Sequence, residues 1–236
     1  MPSPARTLSL STEEGRDEIW EIFAPPHRQW VRAMMVTNSA DDVVGLDGTT
    51  NSLTQGADRA LLHLLRENCD AVVVGAQTIR RETIPLPHTT PLVVLTTTGD
   101  LADHRLLIRG NDTERLIIAG TAEALEMAAR TLGDIPFEPL ALPTGATGSD
   151  IEAAIGSHVQ GHDLLIEGGP TIWSLFSSVI DEVVVSVTPP PTDSHQGSPR
   201  WWPGGVDRWH LEALFSDDAQ MLYYLQRTGV RGVPSS

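Results

Sequence analysis

The chain has no lysine: all 16 of its basic side chains are arginines. That removes P-loop nucleotidases, which reach phosphate with a lysine, and every Schiff-base mechanism, those of pyridoxal enzymes included. A single cysteine, Cys69, excludes an intramolecular disulfide and a CxxC zinc knuckle. Positive charge is scarce overall, with 31 acidic side chains against 16 basic ones and a formal charge of −15. A surface so acidic repels phosphate backbones and anionic lipids, so neither nucleic acid nor membrane is expected as a partner. No stretch approaches the roughly 18 apolar residues of a membrane span. Met1 to Thr12 lacks the basic-then-apolar pattern of a secretory signal, and a cytoplasmic protein is the expectation.

The 236 residues suffice for one large domain or two small ones. There is no internal repeat and no segment that reads as an interdomain linker. Ser11-Thr12-Glu13-Glu14 has a capping-box pattern, and Ile19, Trp20, Ile22 and Phe23 follow at roughly helical spacing until Pro25-Pro26 stops the helix. We read 1–29 as a helical extension and 30–236 as one domain. Trp30 to Thr37 reads as a strand, Asn38 to Gly56 as a polar loop, and Ala57 to Asn68 as a helix. Short apolar runs then recur at Asp70 to Gly75, Pro91 to Thr96, Arg115 to Gly120 and Asp163 to Glu167, the pattern of strands buried on both faces. Helical stretches at Ala122 to Leu132, Ser149 to Gln160 and Thr171 to Val179 lie between or after them. Asp181 to Thr188, Arg208 to Phe215 and Gln220 to Gln226 read as closing strands, the last two joined at Ser216-Asp217-Asp218. The alternation predicts an α/β fold, a mixed and mostly parallel sheet covered on both faces with an antiparallel C-terminal edge. Pro189 to Gly205 reads as a long loop.

Ligands of open α/β sheets bind beyond the carboxyl ends of the strands. Two strand ends carry glycine there: Glu167-Gly-Gly-Pro-Thr171 and Gly75-Ala-Gln-Thr78. In the first, the glycines allow close backbone approach and Pro170 suits the first helical position, where no donor is needed. An ordinary strand-to-helix turn would also contain glycine, and Thr78 is equally readable as a plain helix N-cap. His158 and His162 have helical i, i+4 spacing, but Gly161 interrupts it and no carboxylate motif accompanies it, so no metal site is read there. No GxSxG elbow is present, which argues against a serine hydrolase. Trp201 and Trp202 are read as packing residues.

The block Trp30-Val-Arg-Ala33, Asn38-Ser-Ala-Asp41, Asp47-Gly48, Leu53, Ala57-Asp-Arg59, Leu65-Arg66, Asp70, Val74-Gly-Ala76 and Thr78 resembles the reductase domain of riboflavin biosynthesis. Leu165-Ile-Glu-Gly-Gly-Pro-Thr171 and Val179-Ile-Asp-Glu182 continue the likeness in the same order, over about Ala24 to Pro189. In particular it looks like the stand-alone pyrimidine reductases, which lack the fused zinc deaminase, since this sequence contains no HxE…PCxxC pattern. The resemblance implies a dihydrofolate-reductase-like three-layer α/β/α sandwich, a homodimer and NADPH as cofactor. NADH is left open because no arginine follows Thr97 to clamp a 2′-phosphate. It implies a small-molecule substrate, a phosphorylated ribosylamino-pyrimidine reduced by hydride transfer to the ring-opened ribose carbon. The alternatives are a reductase of the same fold acting on another small heterocycle, and a non-catalytic nucleotide-binding homodimer.

Residue by residue, the resemblance puts Gly168, Gly169, Pro170 and Thr171 at the cofactor pyrophosphate and Gly75 and Thr78 along the cofactor cleft. Thr96 or Thr97 falls near the adenosine ribose, and Thr37, Ser39 and Ser52 on the nicotinamide side. Thr50, Arg66 and Glu167 fall where substrate is contacted; Glu82 and Asp41 stand as the catalytic carboxylates. Glu82 occupies the family's acidic position with a longer arm, and Asp42 stands where the family has glycine.

Overall fold

The computed structural model describes residues 12–37, 56–110, 113–188, 208–216 and 221–228. In chain order the elements are α1 (Glu13–Phe23), β1 (Gln29–Thr37), α2 (Gly56–Glu67), β2 (Ala71–Gly75), α3 (Ala76–Arg81), β3 (Ile84–Pro85), β4 (Leu92–Leu95) and β5 (Leu106–Leu107). Then come β6 (Leu116–Gly120), α4 (Ala122–Thr131), β7 (Glu138–Ala141), α5 (Gly148–Val159), β8 (His162–Glu167), α6 (Pro170–Phe176), β9 (Glu182–Val187), β10 (Trp209–Ser216) and β11 (Met221–Arg227).

Nine strands form one sheet in the order β10-β11-β9-β1-β8-β2-β4-β6-β7. From β9 to β7 every neighbouring pair is parallel, whereas β11 is antiparallel to β9 and to β10. The central strands are apolar on both faces, as burial by two helical layers requires. In β2, Val72 and Val74 face one core together with Leu61 and Leu65 of α2 and Phe23 of α1. Val73 faces the other, with Ile155 of α5 and Trp173 and Phe176 of α6. Helices α1, α2, α3 and α4 thus cover one side and α5 and α6 the other. This is the expected three-layer α/β/α sandwich around a mixed, mostly parallel sheet, with its antiparallel C-terminal edge.

Local signals set the helix ends. Thr12 caps α1 by accepting from the Gly15 N–H at 3.1 Å. Thr147 and Asp150 form a reciprocal capping box at α5. Two short elements escaped the sequence reading, β3 and β5 of two residues each, whereas the helix start read at Thr78 is the six-residue α3. The N-cap of α3 is Gly75, so Thr78 lies inside the helix. Asp42 and the Pro189 to Gly205 loop, with Trp201 and Trp202, lie outside the described residues.

One buried polar network ties the antiparallel edge to the parallel sheet. Glu182 of β9 pairs with Arg32 of β1, and its other carboxylate oxygen accepts from Trp30 Nε1 at 2.9 Å and Tyr224 Oη at 3.0 Å. Arg32 also donates to the Phe23 carbonyl at the end of α1. Burial of a charge is tolerable only with this degree of satisfaction. Phe23 packs on Tyr224 with ring centroids 4.6 Å apart.

Candidate active site

The parallel strands deliver their carboxyl ends to one edge of the sheet. The chain leaves β1, builds β2, β4, β6 and β7 outward in one direction, then returns to insert β8 between β1 and β2. The helix leaving β8, α6, lies on the opposite face from α2 and α3, which leave the neighbouring strands β1 and β2, and such a switch point is where an open α/β sheet has its ligand crevice. Register brings the ends together: Met34 of β1 pairs Glu167, Val73 of β2 pairs Ile166, and Gly75 pairs Leu95 of β4.

The two glycine turns flank the crevice. Gly168 has φ +133°, a conformation L side chains rarely adopt, and a Cβ built on it would lie 3.1 Å from Ile172 Cγ2 and 3.4 Å from Thr78 Oγ1. The turn after β8 therefore packs against α3 at Thr78, joining two segments far apart in sequence. Gly169 is the N-cap of α6 with no side-chain bond, and Pro170 opens the helix. Gly75 caps α3, again without a side-chain bond. A Cβ at Gly75 or Gly169 would meet nothing within 4 Å, so both turns present bare backbone to open space. A donor set of backbone N–H groups without competing side chains suits the phosphates of a dinucleotide. Thr171 is exposed beside them.

On the α1–α4 side of the crevice, Arg66 in the last turn of α2 forks onto Glu167. Nε donates to Oε1 at 2.6 Å and Nη2 to Oε2 at 2.5 Å. Both side chains are largely buried, 15% and 12% exposed. Sequence reasoning placed each residue at the substrate but missed that they hold each other; 101 positions separate them, and nothing local signals the pairing. Burial opposes the Arg66 charge, and the Glu167 carboxylate raises its pKa on balance, with Glu82 contributing in the same direction. Glu82, the C-cap of α3, thus belongs to the same electrostatic cluster. Burial and the neighbouring Arg66 lower the pKa of His63, and burial, then Glu167, raise that of the Cys69 thiol.

The remaining expected residues fall as follows. Thr37, 1% exposed, ends β1, its carbonyl accepting from the Thr188 N–H at 2.9 Å. Thr96 is buried and its hydroxyl accepts from the Gly99 N–H at 2.9 Å, leaving Thr97 and Thr98 as the exposed threonines of that turn. Ser39, Asp41, Thr50 and Ser52 lie outside the described residues. The histidine pair has other work: His158 Nε2 lies 3.0 Å from Glu138, and the His162 ring lies against Gly156. Glu138 also takes a bidentate bond from Arg115, which with His158 holds its pKa down at about 2.

The fold is that of an α/β protein whose parallel strands bring two glycine turns and the Arg66–Glu167 pair together at their carboxyl ends. The chain belongs to the RibD C-terminal domain family, whose model matches residues 30–190. Among solved structures it is similar to a pyrimidine reductase-like protein from Corynebacterium diphtheriae (TM-score 0.63, 20% identity, 86% of this chain and 93% of that one). A bifunctional deaminase and 5-amino-6-(5-phosphoribosylamino)uracil reductase from Thermotoga maritima matches with TM-score 0.63 and 18% identity over 92% of this chain, which spans 62% of that protein. The riboflavin biosynthesis reductase of Saccharomyces cerevisiae matches with TM-score 0.58 and 11% identity, over 88% of this chain and 94% of that one. A search of curated proteins finds no match.

Proposed function

We propose that the protein is an NADPH-dependent reductase of a phosphorylated ribosylamino-pyrimidine, of the 5-amino-6-(5-phosphoribosylamino)uracil type. The observation that carries this reading is the convergence of the Gly75–Thr78 turn, the Gly168–Thr171 turn and the Arg66–Glu167 pair at one switch point. Bound NADPH would supply a hydride. Gly168, Gly169 and Pro170 would take its pyrophosphate, Gly75 and Thr78 would line its cleft, and Thr97 would meet the adenosine ribose. Arg66 and Glu167 would orient the substrate, with Glu82 and Asp41 as candidate proton-handling groups. Hydride transfer depends chiefly on proximity and a water-poor cleft, so the protein's task is placement. The reading includes a cytoplasmic homodimer.

The rival reading is a nucleotide-binding dimer without turnover; the mutual engagement of Arg66 and Glu167 favours it, because each meets the other's charge without a ligand. Two experiments separate them. Titration with NADPH and NADH, followed by tryptophan fluorescence and thermal shift, should show saturable binding and a raised Tm; binding of neither overturns both readings. Nucleotide oxidation in the presence of the ribosylamino-pyrimidine phosphate, with dihydrofolate as comparison, should then show preference for the pyrimidine. Binding without turnover of either leaves the non-catalytic reading.

A further inference from the structure

Arg66 is held at both ends, and the second anchor comes from a distant segment. The C-terminus of α2 contains no glycine; Asn68, Cys69 and Asp70 follow it. Three of its last four carbonyls, those of Leu64, Leu65 and Arg66, are each satisfied by a separate donor. Asn68 Nδ2 donates to the Leu64 carbonyl at 2.9 Å, and the Asn68 N–H to the Leu65 carbonyl at 3.3 Å. The Arg66 carbonyl accepts from Thr90 Oγ1 at 2.7 Å and more weakly from Cys69 Sγ at 3.6 Å. Thr90 is 5% exposed and directly precedes Pro91, whose carbonyl accepts from the Val72 N–H at 3.0 Å. The hydroxyl that reaches Arg66 is therefore mounted where β4 locks onto β2, part of the rigid sheet.

We propose that Thr90 is a positioning residue for the substrate side of the site: its hydroxyl fixes the Arg66 main chain so that the guanidinium meets Glu167 in one geometry. This rests on the reading of Arg66 and Glu167 as substrate contacts. The cofactor turns at Gly75 and Gly168 do not depend on this bond, so its loss separates substrate from cofactor binding. A plain helix cap would instead lower stability and leave the ratio of the two affinities unchanged.

The test compares Thr90→Val, which keeps the shape and removes the donor, with Thr90→Ser, which restores it; Thr90→Ala replaces the valine variant if that one does not fold. The expected result for Thr90→Val is a KM for the ribosylamino-pyrimidine phosphate raised about three- to tenfold, the scale of one hydrogen bond. The NADPH Kd should stay within about twofold, and Thr90→Ser should recover the wild-type KM. An unchanged KM, a parallel rise in KM and NADPH Kd, or no rescue by serine overturns the proposal. Hydrogen exchange at the Arg66 Nε–H, read by nitrogen-15 NMR, tests the positioning without turnover. Thr90→Val should speed that exchange and Thr90→Ser should not; equal rates in all forms overturn the proposal as well. The Arg66→Gln variant tests the underlying reading separately, since an unaltered KM there refutes Arg66 as a substrate contact while leaving the exchange result to stand for Thr90.

Discussion

Two adjacent glycines in the turn after β8 carry different constraints. Gly168 has φ +133° and close neighbours where a Cβ would go; Gly169 has φ −82° and open space around it. Gly168→Ala should therefore destabilise the fold by about 1–3 kcal/mol, the cost of forcing an L side chain into a sparsely populated region. Gly169→Ala should leave urea-unfolding stability within about 0.5 kcal/mol of wild type, since surface changes without strain rarely exceed that. Its methyl group would instead stand where a ligand phosphate must approach backbone, so NADPH affinity should fall. Equal stability losses in the two variants would contradict this division. The sequence showed the pair of glycines but could not distinguish them, because φ and the proximity of Thr78 are set by how α3 packs on the turn.

Glu182 is the point at which separate elements are fastened together. It receives bonds from Arg32 and Trp30 of β1 and Tyr224 of β11, and Arg32 extends the network to the end of α1. Removing one charge would leave the other buried and unpaired, so Glu182→Gln should cost about 3–5 kcal/mol. The double variant R32M/E182L should recover only part of that, because it removes both buried charges but leaves Trp30 Nε1, Tyr224 Oη and the Phe23 carbonyl without these partners. Chemical denaturation of the three proteins checks the ordering; a single variant no worse than the double contradicts it. The apolar runs made the long strands visible, and Thr12, Pro25 and the Gly-Pro turn marked several helix ends. The two-residue β3 and β5 were not visible, being shorter than the window over which alternating periodicity accumulates, and the start of the six-residue α3 was misplaced by three residues for the same reason. Glu182 itself was noticed only as part of a family-like motif, since its partners converge from β1 and β11.

At the scale of the whole molecule, the sequence marks which segments are strands but carries little about their neighbours. The insertion of β8 between β1 and β2 brings Glu167 to Arg66, and it also brings Asp163 beside Asp70 at the other ends of the strands. There the Asp163 N–H donates to Asp70 Oδ2 at 2.9 Å, the Asp70 N–H donates to the Asp163 carbonyl at 2.7 Å, and the two carboxylates are forced near each other. Burial, then the Asp70 charge, push the Asp163 pKa up to about 6 from its usual 3.8. The folded state consequently holds a proton that the unfolded chain has lost between these values, so this site favours folding below about pH 4 and its contribution disappears as pH rises through 6. The group is partly solvated, so screening reduces the effect. Asp163→Asn removes the charge while keeping an acceptor for the Trp30 N–H. It should raise Tm at pH 8, where wild type carries both carboxylates, and leave Tm nearly unchanged at pH 4, where the aspartic acid is already largely neutral. In a chain of net charge −15, a general relief of repulsion would raise Tm for the loss of any acidic group. Glu126→Gln on the exposed face of α4 is the control: a pH-dependent gain as large as that of Asp163→Asn would assign the effect to overall charge and not to the Asp70–Asp163 contact.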